Sequence, residues 1–249
     1  MTKIILSGCN GKMGQVISRL VETDEAVEIV CGLDINTSAN NGYPVVDDLS
    51  KFDGKADVII DFSHPDTLDK LIPYCENTGT ALVMATTGLS QAQVERLENL
   101  SKKVAVFRSA NMSIGINLLM SLVKKAAQTL EGDFDIEIVE KHHNQKIDAP
   151  SGTALMIADG ISEVLTSKPG YVYDRHSVRK KRSSNEIGIH AVRGGTIVGE
   201  HEVIFAGTDE IIEIKHTAMS KEIFAVGSIR AAKFIAGKNP GIYSMQDMM

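Results

Sequence analysis

The first thirty-four residues constrain the fold more than any other stretch. Lys3 to Leu6 is a short apolar strand running into Gly8-Cys-Asn-Gly11-Lys-Met-Gly14. Helical spacing follows at Val16, Ile17, Leu20 and Val21, then a second apolar strand from Val27 to Leu33 that closes on Asp34, 20 positions beyond Gly14. Strand, glycine-rich turn, helix, strand and acid is the order of a dinucleotide-binding unit. Its glycines let a pyrophosphate approach the helix N-terminus, and its acid takes the ribose hydroxyls. Glycines at 8, 11 and 14 depart from the G-x-G-x-x-G spacing, and Asp34 also suits a plain turn. The flanking elements make nucleotide binding the better reading. Ile35 and Asn36 place no cation beside the acid for a 2′-phosphate, which favours NADH over NADPH.

The alternation continues through strands at 56–60, 81–84 and 104–107, with a helix from Gln91 to Ser101. Repeated β-α units of this length predict a parallel sheet with helices on both faces. Ligands bind beyond the carboxyl ends of such strands, here Gly8, Asp34, Phe62, Thr86–Thr87 and Asn111. From Ser113 the pattern changes: a helix through Ile116 to Val123, an alternating strand from Phe134 to Glu140, and a helix from Ala154 to Leu165. A polar stretch over 167–185 reads as a mobile surface loop, followed by strands at 187–192, 196–205 and 210–216 with glycine-containing turns. Lys221 to Ala236 is an amphipathic helix, and the tail from Gly237 holds turn residues. The predicted fold is therefore α/β, a Rossmann-type parallel-sheet dinucleotide-binding domain (1–112 plus 218–249) carrying an inserted α+β mixed-sheet substrate domain (113–217).

The window from His142 to Ala154, His-His-Asn-Gln-Lys-Ile-Asp-Ala-Pro-Ser-Gly-Thr-Ala, concentrates the most chemistry. It lies between a strand end and a helix N-terminus, where unpaired N–H groups and the helix dipole suit an anion, so Ser151, Gly152 and Thr153 are candidates to cradle a carboxylate or phosphate. His142 can trade a proton near neutral pH and Lys146, four residues on, supplies fixed positive charge. Plainer roles compete. An adjacent histidine pair is often a solvated loop, its alternating directions disfavour a shared metal, and Ser151 suits a helix cap better than a nucleophile, since no G-x-S-x-G elbow surrounds it.

A net charge of −6 gives no general attraction to nucleic acid or anionic membrane. The basic run Arg179-Lys-Lys-Arg182 reads first as a solvated loop and second as a lure for an anionic substrate. Cys9, Cys31 and Cys75 match no zinc or disulfide spacing, and no run approaches membrane-spanning length, so a cytoplasmic protein without metal is expected.

The glycine turn, Asp61-Phe-Ser63, Thr86-Thr-Gly88, Glu140 to Ala154, Val192 to His201 and His216-Thr-Ala218 together resemble the 4-hydroxy-tetrahydrodipicolinate (dihydrodipicolinate) reductases of lysine and diaminopimelate synthesis, over nearly the full length. The resemblance implies reduction of a small cyclic dicarboxylate by NADH or NADPH in a homotetramer formed through the substrate-domain sheets. It implies that His142 is the proton donor and Lys146 its cationic partner, with His143, Ser151, Gly152 and Thr153 binding the substrate carboxylates. Gly8, Cys9, Asn10, Gly11, Lys12, Met13, Asp34, Phe62, Ala85, Thr86, Thr87, Ser109, Ala110, Asn111 and Met112 would line the cofactor. Ala85 stands where many members have glycine and Met112 where many have an aromatic residue; Arg193 lies in a family motif without an assigned role. The rival readings are a Rossmann dehydrogenase acting on another small substrate, which an assay of candidate substrates separates, and a non-catalytic dinucleotide sensor, which leaves the His/Lys loop unexplained.

Overall fold

The computed structural model describes residues 1–249 and divides into two compact units, 1–114 with 222–249, and 115–221. In the first unit the strands are β1 (Thr2–Ser7), β2 (Val27–Leu33), β3 (Val45–Val46), β4 (Val58–Asp61), β5 (Ala81–Met84) and β6 (Ala105–Arg108). With β12 (Gly241–Tyr243) they form one parallel sheet in the order β12-β6-β5-β4-β1-β2-β3. Strand order reverses between β1 and β4, the switch point at which doubly wound sheets open a crevice.

Alternation along β1 fixes the layers. Ile4 and Leu6 face a core shared with Ile17 of α1 (Lys12–Val21) and Ala225, Ile229 and Ala232 of α6 (Glu222–Ile235). Ile5 points the other way, into a core with Leu71 of α2 (Leu68–Thr78) and Leu97 of α3 (Gln91–Leu100). Because both faces are covered, the strands are apolar at nearly every position. The helix starts are equally local. Ser90 caps α3 in a reciprocal capping box with Gln93, while Pro65 opens the short 3₁₀ turn ahead of α2.

The tail does more than turn. Gly241 to Tyr243 pairs with β6, and α7 (Met245–Met248) inserts Met245 into the first core.

In the second unit, α4 (Ile114–Leu130) and α5 (Gly152–Val164) cover one face of a five-stranded mixed sheet. Its strands are β7 (Asp135–His142), β8 (Gly170–Val172), β9 (Glu186–Arg193), β10 (Gly199–Ala206) and β11 (Ile211–Ala218), in the order β11-β10-β7-β9-β8. β10 is antiparallel to both neighbours, and β7, β8 and β9 run parallel. Leu119, Val123, Ile157 and Ile161 of the helices meet Ile136, Ile138, Ile189, Val203 and Phe205 of the strands. The opposite face carries Glu137, Lys141, Glu200, Lys215 and the exposed Ile211. No helix is long and apolar enough to cross a membrane.

The segment expected as a loop over 167–185 is partly built into the sheet. β8 extends β9, and Arg182 reaches Asp135 at 2.7 Å, Glu137 at 3.0 Å, and the carbonyls of Ile136 and Glu186. Its side chain is 18% exposed, so Arg182 anchors the segment and is not available to attract substrate.

Candidate functional sites

The first site lies at the carboxyl ends of β1, β2 and β4. A cavity of about 640 Å³ opens there, bounded by Gly8, Asn10, Gly11, Asp34, Phe62 and His64, among others. Gly8 has φ +77°, and a Cβ at that position would stand 2.4 Å from the Phe62 carbonyl oxygen. A Cβ at Gly14 would meet the Gly8 carbonyl oxygen at 2.2 Å. These two contacts let α1 begin directly beneath the turn. No side chain caps α1 and no acid occupies its first turn, so its N-terminus is fitted to receive the pyrophosphate of a dinucleotide. Asp34 is held ready at the edge: its carboxylate accepts from the backbone N–H of Asn10 and of Asn36, both at 3.0 Å.

The other expected cofactor residues divide. Cys9 is 1% exposed, with its sulfur beneath Gly32, and burial pushes its thiol up to about 11; it can offer a ligand only its backbone. Met13 packs on the core and Lys12 is exposed. Ala85, Thr86, Thr87, Ser109, Ala110 and Asn111 follow β5 and β6 and do not bound the cavity. Met112 differs from its expected place, because its side chain is in the core at 3% exposure. Asp61, absent from the expected site, organises the loops: its carboxylate accepts from the hydroxyls of Ser63 and Thr86. Ser63 N–H in turn donates to Thr86 Oγ1 at 2.8 Å, which ties the ends of β4 and β5 together. Burial raises the Asp61 carboxyl above its ordinary range.

The second site is built on β7. Ile136, Ile138, Glu140 and His142 share the parity of the buried face, so the strand carries a carboxylate and an imidazole into the interior at its end. His142 Nδ1 lies 2.6 Å from Glu140 Oε2. A carboxylate only accepts, so Nδ1 bears the proton. Nε2 makes no hydrogen bond within the protein and stays accessible. A Cβ at Gly199 would stand 3.2 Å from it, so the glycine keeps that side of the ring clear. Glu140 is fully buried and takes three further bonds: from Ser151 N–H at 2.9 Å, and from both Arg193 terminal nitrogens at 2.7 Å. Burial alone would raise this carboxyl, but the bonds from Arg193, His142 and Ser151 outweigh it and hold it below the usual range.

His201, on the facing strand, stacks edge to face with His142 at 5.2 Å between ring centroids, and its Nε2 lies 3.0 Å from Ser151 Oγ. Burial, with the charge of His142, lowers His201 to about 4. It is a neutral partner.

Beyond β7 the chain turns, with Lys146 N–H bonded to the His143 carbonyl at 3.1 Å, and Lys146 Nζ lies 2.8 Å from Asp148 Oδ1. Lys146, and with it the Gly152 amide, hold the Asp148 carboxyl below its ordinary range. His143 is half-buried beside these groups in the chain. At the start of α5, Ser151 departs from the expected anion cradle. Its N–H is given to Glu140 and its Oγ accepts from Ala154 N–H at 3.1 Å, so it is a cap and a support. Gly152 and Thr153 form the rest of the first turn, with open space around Gly152. No cluster of histidine, cysteine and carboxylate side chains is placed to hold a metal.

A 3-2-1-4-5-6 parallel sheet with a glycine turn at its switch point, joined to a mixed-sheet unit carrying an imidazole–carboxylate pair, defines a Rossmann-type dinucleotide-binding protein with a group able to move a proton. Sequence models described as dihydrodipicolinate reductase, N-terminus, and dihydrodipicolinate reductase, C-terminus, match residues 2–112 and 115–249. The chain belongs to the dihydrodipicolinate reductase family. It is 53% identical to the 4-hydroxy-tetrahydrodipicolinate reductase of Caldanaerobacter subterraneus subsp. tengcongensis, over 100% of this chain and 98% of the relative. The enzyme of Clostridium novyi is 50% identical over the same shares. Among solved structures, the dipicolinate-bound dihydrodipicolinate reductase from Paenisporosarcina sp. TG-14 superposes with a TM-score of 0.84 at 27% identity, covering 98% of this chain and 97% of that one. A Corynebacterium glutamicum diaminopimelate dehydrogenase shares the fold at a TM-score of 0.56 and 13% identity.

Proposed function

We propose that this chain reduces 4-hydroxy-tetrahydrodipicolinate to tetrahydrodipicolinate with NAD(P)H, in lysine and diaminopimelate biosynthesis, the first unit holding the cofactor and the second the cyclic dicarboxylate. One observation carries the reading: His142, Lys146 and the start of α5 are gathered on a single loop of the second unit, with His142 Nδ1 held by Glu140 and Nε2 left open. The bound nicotinamide supplies a hydride. His142 as imidazolium gives its Nε2 proton to the ring and keeps the Nδ1 proton on Glu140. Lys146 and the N–H groups of Gly152 and Thr153 receive the carboxylates, with His143 beside them. The 4-hydroxyl leaves with a neighbouring ring hydrogen as water, and the hydride and proton add across the double bond so formed, so that substrate, reduced cofactor and one proton become product, oxidised cofactor and water.

Support for the cofactor site is the free N-terminus of α1 above Gly8 to Met13, with Asp34 at the ribose end. Beside it Ile35 is 94% exposed and Asn36 is neutral, which favours NADH over NADPH. The open face of the second sheet, with Ile211 64% exposed and Val192 44% exposed among its charged residues, supports a homotetramer assembled through these sheets. The compartment is the cytoplasm. Two assays test the reading. Consumption of reduced nicotinamide should require freshly formed 4-hydroxy-tetrahydrodipicolinate, and dipicolinate should inhibit it competitively. Turnover on an unrelated sugar or aldehyde and none on the cyclic imine would overturn it.

A further inference from the structure

Neither Arg193 nor Glu140 gives a proton or a hydride to the substrate in the steps above, yet they form a densely bonded ion pair, with Glu140 fully buried and the Arg193 side chain 19% exposed. Arg193 gives both terminal nitrogens to the Glu140 carboxylate, and its Nη2 also reaches the Asp148 carbonyl at 2.6 Å. Glu140 in turn holds the His142 ring and the Ser151 amide at the start of α5. Three separately encoded pieces of the site therefore meet on one carboxylate and its guanidinium: the imidazole, the helix N-terminus and the loop bearing Lys146. We propose that the Glu140–Arg193 pair is the positioning element that sets the His142 tautomer and fixes the proton donor relative to the dicarboxylate cradle. The proposal rests on the assignment of His142 as proton donor.

The donor arithmetic makes this specific. Each Glu140 oxygen accepts one Arg193 bond, with Oε1 also taking Ser151 N–H and Oε2 taking His142 Nδ1–H. Glu140→Gln keeps the shape but has only one accepting oxygen. That oxygen goes to the two donors Ser151 N–H and Arg193 Nη2, and the amide NH₂ then faces His142. Nδ1 must become the acceptor, and the neutral ring moves its proton to Nε2. The ring is turned into the wrong tautomer, and the negative charge that favours imidazolium is gone.

The test combines kinetics with ¹⁵N NMR of His142 in the full chain. Glu140→Gln should lower kcat about 100-fold or more, with NADH affinity within twofold of the parent. The alkaline limb of its pH–kcat profile should move to lower pH, and the ¹⁵N signature of the neutral ring should switch from an Nδ1 to an Nε2 proton. Arg193→Lys, which keeps the charge but loses the two-pronged grip, should lower kcat about tenfold and raise the dipicolinate dissociation constant. If Glu140→Gln fails to fold, Arg193→Lys decides through kcat and the dipicolinate dissociation constant, because Glu140 still fixes the tautomer there; both values within threefold of the parent overturn the proposal. An unchanged tautomer signature with kcat within threefold of the parent overturns the proposal. His142→Gln separates the two claims. Wild-type turnover there removes the proton-donor assignment, whereas loss of turnover there with a fully active Glu140→Gln removes only the positioning role.

Discussion

Asp148 Oδ1 stands 2.8 Å from Lys146 Nζ, so the cation assigned to the substrate is already met by a carboxylate of the protein. The Asp148 side chain is 57% exposed and can swing aside. A substrate carboxylate must displace it, and a pair exposed on its carboxylate side is worth about 0.2–1 kcal/mol. Asp148→Asn should therefore tighten dipicolinate binding about two- to fivefold, measured by calorimetry at low salt, with the gain shrinking as salt rises.

Gly152 offers a clean probe of the anion cradle. A Cβ there meets no atom within 4 Å, and the residue does not need a positive φ. Gly152→Ala should leave the melting temperature close to the parent value while raising KM for the dicarboxylate severalfold. NADH binding should not change.

His201 couples the site to acid stability. Its folded value of about 4 lies below the 6.5 of the free side chain, so the unfolded chain takes up the proton first. Stability is complete above pH 6.5 and is lost as pH falls from there to 4, by at most about 3 kcal/mol. Urea unfolding of His201→Asn across this range should show a flatter dependence than the parent. Glu140, held below its ordinary range, adds a loss only at lower pH.

Much of the first unit was legible because it is buried on both faces: continuous apolar strands, a glycine turn and an acid in order leave little choice. β12 escaped because it is a three-residue edge strand with Ile242 48% exposed. Arg182 looked like part of a solvated basic run because its partners Asp135 and Glu137 lie more than forty positions earlier in the chain. In the second site the sequence pointed to His142 and Lys146 but not to the carboxylate beneath them. A signal was present: alternation puts Ile136, Ile138, Glu140 and His142 on one face, so Glu140 sits at a core position where a lone acid requires partners. Those partners, Arg193 and Ser151, come from separate segments that no spacing rule joins. A comparable distance in sequence hid the pairing of Ser151 with His201.

Asp34 should decide cofactor choice. Its carboxylate is at the cavity edge, and Ile35 and Asn36 bring no positive charge. Asp34→Ser should reduce the NADH to NADPH ratio of kcat/KM by about tenfold, chiefly through KM for NADH, as measured by initial rates with each cofactor.

The central claim is that His142 delivers the proton while other groups bind. Steady-state kinetics of His142→Gln, with NADH and dipicolinate affinities determined on the same preparation, tests it most directly. The expected result is a kcat lower by about 10²–10⁴ with NADH affinity within twofold and dipicolinate still bound. Turnover equal to that of the parent protein would contradict the account.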